Sequence, residues 1–210
     1  HKPEKIFAFA TSAIRGAKNG NDFVDAVKEK TGIDITVISG DREAELIYLG
    51  VRQCIELGKS PVLIMDIGGG STEFIIANHE KIFWKHSYNI GAARLLEIFK
   101  PSDLLHLSEL KKTEKFLSSE LSTMVAAVKK FQPDQLIGSS GSFDTFAEMI
   151  GFQFYNRNII ANTNKYNFKM EEYFHLHEKI LFSTIAQRKK MKGLVKMRVD
   201  MIVLATICTA

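Results

Sequence analysis

Apolar positions change their spacing several times along the chain, and each change marks an element. Residues 5–11 carry Ile6, Phe7, Ala8, Phe9 and Ala10 in one run, which predicts a buried strand. Asn21 or Asp22 then caps a helix to about Lys30, ended by Gly32. Residues 34–39 predict a second strand. Strand, helix and strand in so short a span make a βαβ unit, so part of the sheet is parallel. From Asp41 to about Leu57 the apolar positions Ala44, Ile47, Val51 and Cys54 recur at helical spacing, and Gly58-Lys59-Ser60-Pro61 breaks the pattern.

Beyond that break the period changes. Val62 to Ile67 is a solid apolar run interrupted only by Asp66, and Gly68-Gly69-Gly70 follows. Glu73 to Ala77 and Lys81 to His86 read as two further strands around a tight turn at Asn78-His79-Glu80, giving a β-meander. Gly91 to Phe99 predicts a short helix. Leu107 to Phe131 predicts one long helix, with Leu110, Leu117, Leu121, Met124, Val128 and Phe131 in a single stripe. Gln135 to Ser139 is a strand and Phe143 to Ile150 a helix. Residues 156–167 form a polar, asparagine-rich loop, and Glu171 to Gln187 and Arg198 onward are helical. No short repeat appears, which argues against a solenoid.

Composition narrows the class. Charged residues make up 25% and hydrophobic residues 45% of 210 residues, an ordinary soluble balance. The net charge of +4 is mild, and nucleic acid is not expected as a partner. The Arg188-Lys189-Lys190 run with Lys192 reads as a solvated face. Cys54 and Cys208 make no disulfide framework and read as free, buried thiols of a reducing compartment. No apolar stretch reaches membrane-spanning length and no signal peptide opens the chain, so the expected location is the cytoplasm. His175 and His177 are two apart on a helix and point to different faces, so they are not read as a metal site.

The segment Asp66-Ile67-Gly68-Gly69-Gly70-Ser71-Thr72-Glu73 carries the most chemistry. Three glycines can take positive φ and bring bare backbone to a ligand, and successive N–H groups then form a nest for an anion. Ser71 and Thr72 add hydroxyls. Asp66 and Glu73 flank the nest with carboxylates suited to Mg²⁺ or another hard divalent cation. A flexible linker and a structural hairpin turn are the plainer readings. Strands on both sides oppose the first, and the preference of hairpins for two-residue loops opposes the second. No Gly-Lys-Ser/Thr follows and the loop leads into a strand, so neither a P-loop nor a dinucleotide fingerprint is present. A second small-residue loop, Gly138-Ser139-Ser140-Gly141-Ser142, ends a strand and opens a helix, a place where anions bind and where Ser142 could equally be only an N-cap.

Taken in order, Ala10-Thr11-Ser12-Ala13-Ile14-Arg15, then Ile38-Ser39-Gly40 with Glu43-Ala44 and Leu46 to Val51, then Asp66 to Glu73, then Gly138 to Ser142, then Gly193-Leu194 with Arg198-Val199-Asp200, resemble the successive motifs of the exopolyphosphatase / guanosine pentaphosphate phosphohydrolase (Ppx/GppA) family. That family lies in the actin / sugar kinase / Hsp70 superfamily. The resemblance implies an α/β fold of two RNase H-like lobes, mixed sheets flanked by helices, with the active site in the cleft between them. Residues 1–58 would be the C-terminal part of an incomplete first lobe, and residues 59–210 most of the second. It implies release of terminal phosphate from polyphosphate or guanosine pentaphosphate with a divalent metal. Glu43 falls on the family's general base for water and Glu73 on its second essential acid. Gly68, Gly69, Gly70, Ser71 and Thr72 fall on its phosphate loop, Ser139, Ser140, Gly141 and Ser142 on the second loop, and Arg15 on an arginine beside the phosphate path. Asp66 and Glu73 are the expected metal ligands.

The chain departs from the family at Gly16, Arg42 and Glu45, neighbours of the implied site. The alternative reading is a non-catalytic sensor of polyphosphate or a guanosine alarmone, which would need neither Glu43 nor Glu73. The family's opening Asp-x-Gly-Ser segment does not precede Lys5, and its closing strand does not follow Ile207. The chain is therefore expected to be a fragment of a longer enzyme, inactive alone and prone to associate through strands 5–11 and 34–39, and a homodimer is counted among its expected partners.

Overall fold

The computed structural model describes residues 3–209. β1 (Ala8–Ala10) leads through α1 (Ser12–Gly16) and α2 (Gly20–Thr31) to β2 (Ile35–Val37), which pairs parallel with β1. This is the expected βαβ unit, with strands shorter than the apolar runs suggest. Phe9 is 56% and Phe7 71% exposed, and Phe23 and Val37 are exposed as well, so the run at 5–11 is not a buried strand. A two-stranded sheet gives each residue few neighbours, and only α1 and α2 pack closely on it among the described residues. α1 itself has no apolar period long enough to announce it.

α3 (Gly40–Cys54) follows, its N-cap Ser39 accepting a hydrogen bond from the Arg42 amide. The second sheet is built from β3 (Val62–Ile67), β4 (Thr72–Ala77), β5 (Ile82–Tyr88) and, after α4 (Ala92–Phe99), α5 (Leu107–Glu120) and α6 (Ser122–Phe131), from β6 (Leu136–Ser139). The strand order is β5-β4-β3-β6, antiparallel in the meander and parallel between β3 and β6. α7 (Ser140–Phe154), α8 (Met170–Leu181), α9 (Ile185–Arg188), a 3-10 turn (Lys196–Arg198) and α10 (Ile202–Cys208) complete the chain.

The long helix expected from Leu107 to Phe131 is broken at Leu121, whose ψ of 9° leaves the helical region. The Ser118 hydroxyl donates to the Glu114 carbonyl one turn earlier, a bond that competes with the ladder and bends helices. The bend brings the Thr123 hydroxyl to 2.5 Å from that of Tyr88. Arg198 onward is likewise a turn and then a short helix, not one continuous element.

The sheet divides two cores by strand alternation. Met65, Ile67 and Phe74 face α7, α8 and α10 with Phe146, Ile150, Leu176 and Leu204. Val62, Ile64, Ile75 and Ala77 face α3 through Ala44, Tyr48 and Val51. The helix at the end of the N-terminal segment thus seals one face of the second sheet, with Tyr48 Oη donating to the Asn78 carbonyl at 2.9 Å. Each fully buried aliphatic side chain here is worth about 1.5–3 kcal/mol. Cys54, expected to be buried, is exposed at the end of α3, whereas burial pushes the Cys208 thiol up to about 12.

Candidate active site

The alternation that buries Ile64 and Ile75 under α3 places Asp66 and Glu73 on the same face, one step nearer the glycine loop. Asp66 is the register partner of Glu73 on β4 and of Ser139 on β6, and Glu73 is the partner of Ser87 on β5. Register partners share a face, so Ser87, Glu73, Asp66 and Ser139 form one polar row across all four strands. The first turn of α3 lies above this row and carries Glu43. Glu43 accepts from Arg15 Nη1 at 3.0 Å, and the same nitrogen donates to the Ile38 carbonyl at 2.9 Å. Both side chains are mostly buried, so the ion pair is a fixed feature of the floor and not a surface contact.

The acids are held under tension. Burial, followed by the charge of Glu73, pushes the Asp66 carboxyl up to about 7, with the Ser139 and Ser140 hydroxyls pulling the other way. Burial also raises Glu73, which is 1% exposed, against hydrogen bonds from Ser87 and Ser71. Glu43 adds repulsion to both. Three carboxylates from three elements, α3, β3 and β4, are therefore close enough to feel one another's charge, and Glu43 is the one distant in sequence.

Asp66 gives a direct expectation for stability. Its folded pKa of about 7 stands above the ordinary 3.8. From about pH 4 to pH 7 the folded chain keeps a proton that the unfolded chain has released, so stability contributed by this group is full below that window and falls as pH rises through it. Calorimetric melts in metal-free buffer should show a falling Tm across that window, and Asp66→Asn should flatten it. An unchanged slope in the variant would place the titration elsewhere.

The glycine loop is built differently from the expectation. Among the described residues the glycines at positive φ are Gly32 and Gly193, so Gly68, Gly69 and Gly70 are not in the left-handed region. Their value is close approach. The Gly68 carbonyl accepts from the Ala92 amide, that of Gly69 from Ala93 and Arg94, and that of Gly70 from Arg94 Nε at 2.8 Å. The loop is thus pinned by its oxygens to the start of α4, while among the described residues no backbone carbonyl accepts from the amides of Gly69, Gly70 or Ser71. Those N–H groups are the ones left to serve the nest expected from the sequence. A Cβ on Gly70 would lie 2.6 Å from Ser12 Oγ, so the loop also touches α1. Ser12 Oγ is itself buried without a hydrogen-bond partner.

Not every residue singled out from sequence faces this site. The Thr72 hydroxyl donates to the Ile90 carbonyl and is fully buried. Ser71 is buried and turned to Glu73. In the second loop Ser139 and Ser140 reach Asp66, Ser142 donates to the Ile67 carbonyl at 3.3 Å, and Gly141 lies under the Arg198 guanidinium. Ser140 has φ +72°, strained for a residue with a Cβ, at the turn from β6 into α7. Sequence reasoning missed Ser87, Arg94, Ser12 and Lys85, which pairs with Glu45 of α3.

Two cavities flank these elements. One of about 280 Å³ is lined by Arg15, Ser39, Gly40, Asp41, Ser87 and Asn89 and adjoins the acid row. A larger one of about 630 Å³ lies among α7, α8 and α9 and gathers none of the residues above, so size does not locate the chemistry.

Comparison with known proteins gives the family and the fold. The sequence matches the Ppx/GppA phosphatase family over residues 1–209. The chain belongs to that family. It is 30% identical over 148 residues to exopolyphosphatase 1 of Mycobacterium tuberculosis, an alignment covering 70% of this chain and 43% of that protein. The chain thus spans under half the length of this curated relative. The fold superposes on an exopolyphosphatase from Cytophaga hutchinsonii with a TM-score of 0.93 at 35% identity, covering 97% of this chain and 65% of that one. On the Ppx/GppA enzyme of Aquifex aeolicus the TM-score is 0.79 at 27% identity, covering 99% and 67%. The mixed α/β architecture is therefore the actin-like fold of Ppx/GppA proteins. Among the described residues no helix is long and apolar enough to cross a membrane.

Proposed function

We propose that the intact protein hydrolyses terminal phosphoanhydride bonds and releases phosphate from inorganic polyphosphate, with guanosine pentaphosphate as a second substrate of the same chemistry. The convergence of Glu43, Glu73 and Asp66 beside the open amides of Gly69, Gly70 and Ser71 carries this reading. Likeness to proteins named exopolyphosphatase supports it.

Each residue has a task that follows from its place. The nest amides bind the oxygens of a terminal phosphate, and Arg15 adds a guanidinium whose planar fork suits phosphate. A phosphate that draws Arg15 toward itself loosens the Arg15–Glu43 pair and frees Glu43 to accept a proton from the attacking water. Ser139, the register partner of Asp66, and Ser140 favour its charged form.

A divalent cation such as Mg²⁺ fits this donor set. Asp66 and Glu73 are neighbouring buried carboxylates whose repulsion a dication would relieve. Among the described residues no group of three or more His, Cys, Asp or Glu forms a cage. Mg²⁺ usually takes only one or two carboxylates and fills its shell with water and phosphate oxygens. When bound it would neutralise charge on the transferred phosphoryl group.

The test is phosphate release from polyphosphate and from guanosine pentaphosphate by the intact protein, with and without Mg²⁺. Release from either substrate is the expected result. Tight binding of both without release would favour the sensor reading, which the Arg15–Glu43 pair, holding the base engaged, makes worth measuring.

A further inference from the structure

Ser87 lies at the end of β5, opposite Glu73, and its hydroxyl donates to Glu73 Oε1 at 2.6 Å. The hydroxyl has little freedom to do otherwise. Gly40, the first residue of α3, packs on Ser87 so closely that a Cβ on Gly40 would overlap the Ser87 Cβ and Oγ. Ser87 therefore touches two things at once: the carboxylate of Glu73 and the start of the helix that carries Glu43. It also lines the small cavity shared with Arg15.

We infer that Ser87 is a positioning residue, which fixes the Glu73 carboxylate toward the nest and sets the spacing between Glu73 and the Glu43 helix. The inference rests on the proposed hydrolase reading and names a residue that reading does not require. Side chains that orient a metal-holding carboxylate typically change metal affinity or activity by about 10–100-fold when removed. The close approach of Gly40 fixes where Ser87 sits, and its hydroxyl supplies the donor.

The experiment compares Ser87→Ala, which removes the donor, with Ser87→Cys, which keeps the unbranched shape of the side chain, is slightly larger and offers only a weak donor. Two readouts are taken on the intact protein: Mn²⁺ binding by calorimetry without substrate, and steady-state phosphate release from polyphosphate with Mg²⁺. In both variants the Mn²⁺ Kd should rise, and kcat should fall, by about 10-fold or more, while KM for polyphosphate stays within about twofold and the Tm stays near that of the parent. A structural role alone would lower Tm and leave the Mn²⁺ Kd of the folded fraction unmoved. Parent-like Mn²⁺ affinity in a folded Ser87→Ala or Ser87→Cys protein overturns the inference. If the parent releases no phosphate from either substrate, the hydrolase reading fails, and the Mn²⁺ arm still decides the role of Ser87.

Discussion

Glu43→Gln should remove phosphate release from polyphosphate while leaving substrate binding nearly intact. The substitution keeps the size of the side chain and its place above the acid row, and removes only the basicity. General-base assistance is typically worth about 10²–10⁴-fold, so kcat should drop by that range with KM little changed. The charge of the Arg15–Glu43 pair is lost with it, but the glutamine oxygen can still accept from Arg15, which also keeps its bond to the Ile38 carbonyl, and this limits the structural damage. Stopped-time phosphate assays and equilibrium binding of polyphosphate separate the two effects. A variant whose turnover stays within about tenfold of the parent would mean that another group takes the proton.

The second large effect is steric. Gly91→Ala should distort the glycine loop, the proposed phosphate nest, because a Cβ there would lie 2.5 Å from the Gly69 carbonyl carbon and oxygen and from the Ser71 nitrogen. Those are backbone atoms pinned by α4, so they cannot swing aside. Overpacking of this kind costs about 1–3 kcal/mol, and here it also displaces the amides that would bind phosphate. Gly69→Ala makes the contrast. Its Cβ meets only Ala93 Cβ at 3.8 Å, an ordinary contact, and its φ is not in the left-handed region. Thermal melts and substrate affinity measured on both should show Gly91→Ala impaired in each and Gly69→Ala close to the parent in stability. Equal damage at both positions would return the triple glycine to a conformational role.

Much of this was legible in the sequence because period and punctuation are strong signals. The βαβ unit, the meander, the strand ending in Ser139 and the loop from Gly68 to Gly70 all follow from apolar spacing and glycines. What the sequence hid was register. A bulge between Ile76 and Ala77 shifts the pairing of β4 with β5, so counting from the turn at Asn78 does not put Ser87 opposite Glu73. The mode of action of the glycines was hidden for a similar reason. Whether a glycine serves positive φ or close approach depends on what packs against it, and Ser12, Ala93 and Arg94 come from other elements. Glu43 was singled out through family resemblance, since an acid in a helix first turn is favoured by the dipole alone. Only its arrival above Asp66 and Glu73 gives it a physical reason.

The way β6 joins the sheet carries a consequence for how the site comes into being. β3 and β4 are joined by one short loop, so the Asp66–Glu73 pair is a local contact with a small closure entropy. Ser139 reaches Asp66 only after α4, α5 and α6 have been laid down and β6 has docked parallel to β3. Local pairings form ahead of distant ones. On that ordering the two carboxylates become neighbours before Ser139 and Ser140 arrive beside Asp66. The closing strand therefore brings last the hydroxyls that ease the charge conflict at Asp66, and a cation present during folding would stand in for them until β6 docks.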